Sequence, residues 1–104
     1  MICKLFWSSL AANDLLAVWD GVFEASRDPE LADRYTAALK ESVLAQTAFP
    51  RAGFPLYYGS LFTGFYSVNY KAYKIFYRVR EERMEVLRVL PAKADHLRIL
   101  FPEE

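Results

Sequence analysis

Cysteine and histidine are almost absent from this chain: Cys3 and His96 are the only ones in 104 residues. One cysteine cannot form an internal disulfide, and a lone cysteine in an apolar stretch reads as a small buried hydrophobe of a reducing compartment. One histidine and one distant cysteine, without a carboxylate cluster, exclude the usual zinc sites, so no metal and no cofactor are expected. Glycine is also sparse, with Gly21, Gly53, Gly59 and Gly64 scattered along the chain. No Gly-rich phosphate loop can be assembled from them, and no serine-nucleophile motif is present. Apolar runs fall short of the ~20 residues of a membrane span. At the N-terminus, Asn13 and Asp14 interrupt any signal-like apolar region. Net charge is zero, from 13 basic and 13 acidic residues, which argues against nucleic-acid binding driven by charge alone. A soluble, cytoplasmic protein is expected, forming a single domain over residues 1–104.

What the chain has instead is aromatic residues, unevenly placed. Ten of the seventeen fall between Phe54 and Tyr77. Charge is uneven too: residues 1–50 carry four bases and seven acids, whereas residues 51–104 carry nine bases and six acids. The first half is therefore acidic and the second mildly basic.

Local patterns predict an α+β chain. Ile2–Trp7 reads as a strand stopped by Ser8-Ser9, either of which can cap a following helix. Ala11, Leu15, Val18, Trp19, Val22 and Phe23 recur at helical spacing. In Asp28-Pro29-Glu30 a capping residue, a proline at the first helical position and a dipole-favoured acid start a second helix. Leu31, Tyr35, Leu39 and Val43 repeat every four residues along it, and Pro50 sets its limit. The short link between the two implies an antiparallel helical hairpin.

Beyond Gly53 the period shortens, and Leu61–Val68, Tyr73–Arg80 and Met84–Leu90 read as antiparallel strands. A two-residue loop at Glu81-Glu82 places Val79 opposite Met84 and Arg78 opposite Glu85. Uninterrupted alternation then puts Tyr73, Ile75, Tyr77, Val79, Met84, Val86, Arg88 and Leu90 on one face, the better candidate to meet the helices. Lys74, Phe76, Arg78, Leu87 and Val89 take the other. Ala92–Leu100 is expected to form a short terminal helix or tail, with His96 at its surface. The whole is a helical hairpin on a small twisted antiparallel sheet.

One stretch has a functional reading from its residues alone. Tyr57, Tyr58, Phe62, Phe65, Tyr66, Tyr70, Tyr73 and Phe76 are interleaved or followed by Lys71, Lys74, Arg78 and Arg80. Rings stack on bases and cations meet phosphates, so such a surface could hold single-stranded nucleic acid. Strands also use aromatics simply to fill a core, and the zero net charge favours that reading. A protein-docking surface fits as well, because tyrosine and arginine are enriched where partners bind.

The order strand, two helices, antiparallel strands, with the phrases Ser9-Leu10-Ala11-Ala12-Asn13-Asp14-Leu15, Tyr73-Lys74-Ile75-Phe76-Tyr77-Arg78-Val79 and Val86-Leu87-Arg88-Val89-Leu90, resembles the RelE/ParE toxins. The likeness spans nearly the whole chain, and its most specific element is the aromatic strand Tyr73–Val79. It implies the toxin of a type II toxin–antitoxin system, neutralised by a cognate antitoxin that wraps it. RelE-like members cut messenger RNA on the ribosome; the characterised ParE-like members block DNA gyrase.

Position by position, Lys74 stands where the ribonucleases place an arginine, keeping the charge but losing the two-pronged phosphate contact. Pro91 replaces their usual histidine, Ala94 their second arginine, and no tyrosine follows Tyr77. Attack by a 2′-hydroxyl needs a proton acceptor and a donor, and lysines and arginines are poor bases at neutral pH. Tyr66 also replaces an arginine of many ParE-like members. The resemblance thus implies a divergent, ParE-like toxin that binds a protein. Trp19, Phe23, Tyr73, Phe76, Arg78, Arg88 and Lys93 are its expected partner-binding residues. The alternatives are a ribosome-dependent ribonuclease using Lys74, Arg78, Arg88 and Lys93, and a non-toxic homologue that only binds antitoxin. Association with itself or with antitoxin is left open.

Overall fold

A computed structural model describes residues 3–102 of the chain. Its elements are β1 (Lys4–Trp7), α1 (Ser9–Ser26), α2 (Pro29–Gln46), a 3-10 turn (Pro50–Ala52), β2 (Phe54–Tyr58), β3 (Leu61–Tyr70), β4 (Tyr73–Arg80), β5 (Arg83–Pro91) and α3 (His96–Leu100). Ile2, expected to open the first strand, lies outside the described residues. Ser8 is the cap of α1, its Oγ accepting the Ala11 N–H at 3.0 Å, and Asp28 caps α2 through the N–H groups of Glu30 and Leu31.

The five strands form one sheet in the order β1-β5-β4-β3-β2. The three later pairings are antiparallel, while β1 lies parallel to β5, so the sheet is mixed. That parallel pairing follows from the connection. The helical hairpin carries the chain away from β1, and β5 runs alongside it only after the meander is complete. One face of the sheet packs on α1 and α2. Ala11, Val18, Leu39 and Val43 of the helices meet Ile75, Tyr77, Met84, Val86 and Val89 in a closed core, with Leu5, Trp7, Tyr66, Tyr70 and Tyr73 around it. Cys3 is half-buried against this core. Leu31 is exposed at the start of α2, and the neighbouring Ala32 takes the buried position instead.

Two features depart from the expected strand pattern. Phe54–Tyr58 is a strand where none was expected, with Gly59 at φ 64° in the tight turn to β3. Pro55 is tolerated because β2 is an edge strand, and a register shift at Leu56 leaves a carbonyl that the Thr63 hydroxyl satisfies at 2.7 Å.

The second departure reverses part of the face assignment. The Glu81-Glu82 loop sets Val79 opposite Met84 and Arg78 opposite Glu85 as expected, but a bulge at Leu87 then pairs Phe76 with Arg88 and Ile75 with Val89. An extra residue flips every side chain beyond it. Val89 therefore belongs to the core, whereas Arg88 and Leu90 lie beside Phe76 and Lys74. Ser8 stabilises the bulge from the junction of β1 and α1, its N–H donating to the Val86 carbonyl and its hydroxyl to that of Leu87.

Candidate docking surface

The sheet face away from the helical hairpin carries Phe65 and Ser67 of β3, Lys74, Phe76, Arg78 and Arg80 of β4, and Arg83, Glu85, Arg88 and Leu90 of β5. Its middle is covered by the chain's own last segment. His96, expected at the surface, lies 5.0 Å from the ring of Phe76 with Nε2 at 3.0 Å from the Pro91 carbonyl oxygen. Phe101 stacks on Phe65 at 5.7 Å and meets Tyr58 edge-on. Phe76 is only 1% exposed, so it supports this cover rather than facing solvent.

On either side of that cover the surface has opposite character. At one side the β2–β3 hairpin presents Phe54, Tyr57, Tyr58, Leu61 and Phe62 to solvent, with Phe49 just before it. Exposure reaches 65% at Phe54 and 69% at Leu61, far more than isolated surface hydrophobes require. Tyr57 and Phe62 pack together, and Phe62 meets Tyr66, which joins the open rings to the core. Tyr58 and Phe101 also wall a cavity of about 500 Å³ beside Asp95 and Arg98.

At the other side the charges converge. Arg78 donates to Glu85 at 2.6 Å, with Arg80 at 3.7 Å and Arg83 at 3.6 Å from the same carboxylate. The hydrogen bond from Arg78, aided by the three positive charges and opposed by desolvation, holds the Glu85 carboxyl below the usual range. Arg83 in turn lies 4.2 Å over the ring of Phe6.

The expected binding residues are thus distributed over the molecule. Trp19 and Phe23 stack on each other at 5.3 Å on α1, with the Trp19 indole donating to Asp33 at 2.8 Å. Tyr73 lies on the helix side of the sheet, edge-on to Tyr35 and close to Gly21, and burial raises the pKa of its hydroxyl. Arg78, Arg88 and Lys74 share the outer face. Arg88 is engaged within the fold, however, bound by Asp14 at 2.8 Å and 3.0 Å; that carboxylate raises its pKa. Lys93 is exposed in the turn after β5. Arg83 and Phe6 were missed by the sequence reading, and Arg80 was named only as a cation of the aromatic-basic stretch, beside Arg83 across the β4–β5 turn. The arginines bracket the Glu81-Glu82 loop, a spacing that could have flagged them, but Phe6 arrives only through the parallel pairing of Phe6 with Glu85.

No group of histidine, cysteine or carboxylate side chains suited to a metal ion occurs among the described residues. None of their helices is long and apolar enough to cross a membrane.

Residues 5–96 match the family model of the ParE toxin of type II toxin–antitoxin systems. The chain belongs to that family. Among solved structures, it is similar to the chromosomal ParDE toxin–antitoxin system from P. aeruginosa, at 21% identity and a TM-score of 0.72 over 88% of this chain and 98% of that one. The RelBE2 toxin–antitoxin complex from Mycobacterium tuberculosis matches at 20% identity and 0.61, over 88% and 99% of the chains. A YoeB/ParE toxin from Agrobacterium tumefaciens gives 19% and 0.56, over 85% and 96%. No curated protein matches the chain. At these identities the structural likeness establishes the RelE/ParE fold, a helical hairpin, sheet and short final helix. The family match establishes the toxin class.

Proposed function

We propose that this ParE-family toxin acts in the cytoplasm by docking on a protein target, DNA gyrase by family resemblance, and is held inactive by a cognate antitoxin. The observation that carries the reading is the open aromatic hairpin, Phe54 to Phe62, on an edge of the sheet. An edge strand offers unpaired backbone groups, and large exposed rings beside it suit the addition of a partner segment. The two antitoxin complexes among the similar structures support a partner of that kind for this chain.

The chemistry of the outer face also favours binding. A 2′-hydroxyl attack needs a proton acceptor near the charged groups. Glu85 is ion-paired and its carboxyl is held low by Arg78, which makes it a weak base. Arg88 is committed to Asp14, and His96 packs at a tilt against Phe76 with its Nε2 on the Pro91 carbonyl oxygen. Lys74 and Lys93 then supply charge without a partner for proton transfer. Of the residues expected to contact a partner, Trp19 and Phe23 on the helical hairpin and Arg78 and Lys93 on the sheet side remain candidates. Tyr73, Phe76 and Arg88 contribute by supporting those surfaces.

The test combines induced expression with mapping of RNA ends on translating ribosomes. Growth arrest without ribosome-dependent cuts supports the proposal. Specific cuts that disappear on Lys74→Ala would overturn it, and normal growth without antitoxin would point to a homologue that no longer acts as a toxin.

A further inference from the structure

The docking reading rests on the aromatic hairpin and leaves the arginine cluster at the opposite end of the outer face without a role. A groove of about 310 Å³ opens there, lined by Phe6, Trp7, Ser8, Arg83, Val86 and Leu87 together with Arg78 and Glu85. We propose that it binds an acidic peptide segment of a partner protein. One carboxylate enters the guanidinium cluster, and an adjoining apolar side chain lies against Leu87. This deepens the docking reading and rests on it.

Three guanidinium groups share the single carboxylate of Glu85, and Glu81 and Glu82 of the adjoining loop form no ion pair with them among the described residues, so two of the three have no carboxylate of their own. Only Arg78 makes a hydrogen bond to Glu85, at 2.6 Å. Arg80 and Arg83 stand 3.7 Å and 3.6 Å away, attracted by its charge but beyond hydrogen-bond reach. Their donors are free to grip a second carboxylate in the two-pronged geometry that arginine favours. Arg83 is also held in place over Phe6, so it loses less freedom on binding than an unsupported side chain.

The occupant's chemistry follows from what the groove already holds. Glu85 shows that a carboxylate fits, and a neighbouring peptide carboxylate shares the remaining positive charge. A nucleic-acid strand suits the groove poorly. The arginines form a spot rather than a track along which successive phosphates could bind, and Arg83 already covers the face of Phe6 on which a base would stack.

The test uses the purified full-length chain and a fluorescein-labelled peptide of about twelve residues built from repeated Glu-Ala-Glu-Leu. Anisotropy should show saturable binding that weakens with added salt. Arg83→Gln should weaken it about tenfold, and Glu85→Gln should tighten it several-fold by removing the internal competitor. Lys40→Gln, which removes the same charge on α2, should leave it unchanged. Circular dichroism confirms that each variant is folded, and Arg80→Gln, whose side chain is more exposed, repeats the arginine test with least risk to the fold. Equal losses in Lys40→Gln and Arg83→Gln would overturn the proposal, as would displacement of the peptide by oligouridine at lower concentration than by unlabelled peptide. Self-association that buries Arg83 without peptide would assign the groove to a second copy and overturn it too. Gyrase and growth assays are separate, so a failed peptide test with intact gyrase inhibition rejects this groove alone.

Discussion

Arg88 grips Asp14 with two donors, Nε at 2.8 Å and Nη2 at 3.0 Å, while the Val89 N–H donates to the same carboxylate at 2.9 Å. One side chain of α1 thus fixes both the side chain and the backbone of β5 just beyond the bulge. Asp14→Ala leaves a largely buried guanidinium and a backbone N–H without their acceptor. Loss of one partner in such a pair should cost about 2–3 kcal/mol. Urea denaturation measures it, and an effect under about 0.5 kcal/mol would show the pair to be incidental.

Gly53 is needed for space rather than for its φ. A Cβ there would collide with the hydroxyl of Tyr77 and stand 3.0 Å from the Ser67 carbonyl. That hydroxyl is fixed by donating to Pro50 at 2.6 Å, so it cannot simply turn away. Gly53→Ala should destabilise the chain by about 1–3 kcal/mol. In Gly53→Ala with Tyr77→Phe the penalty should be partly relieved, a coupling that a double-mutant cycle reads directly.

Acid should weaken the fold through Glu85. Its folded pKa is depressed, chiefly by the Arg78 hydrogen bond, so it contributes stability above its unfolded value of 4.5 and loses it as pH falls through the folded value. In Glu85→Gln, the dependence of stability on pH below about 4.5 should flatten. A parallel acid limb in both proteins would contradict the role given to this carboxylate.

Alkali acts through the buried tyrosines. Burial raises the pKa of both Tyr73 and Tyr77 above the ordinary 10.0. Their protonated forms persist in the fold after the unfolded chain has begun to ionise. Stability is full below pH 10 and declines as pH rises toward the folded values. Tyr73→Phe should reduce this decline in thermal melts above about pH 10.

Much of the fold was readable because local chemistry and tertiary context agree. Ser8 and Asp28 cap the helices, Pro29 starts α2, and the two-residue loop at Glu81-Glu82 sets the hairpin register. Alternation carried that register correctly as far as Val86. It failed at Leu87 because nothing local marks the bulge; its partners, Ser8 and Asp14, are more than seventy residues away. The strand at Phe54–Tyr58 was obscured by Pro55, although Gly59-Ser60 was a legible turn signal. Arg78 was readable as a surface residue of the aromatic strand, but its arrangement with Arg80, Arg83 and Phe6 depends on a parallel neighbour from the other end of the chain.

DNA supercoiling by purified gyrase, with and without this protein, tests most directly whether it works by docking. The account expects inhibition by the unaltered chain and by Lys74→Ala, and its loss in a folded Phe54→Ser/Leu61→Ser variant. Uninhibited supercoiling, together with ribosome-dependent RNA cuts abolished by Lys74→Ala, would contradict it.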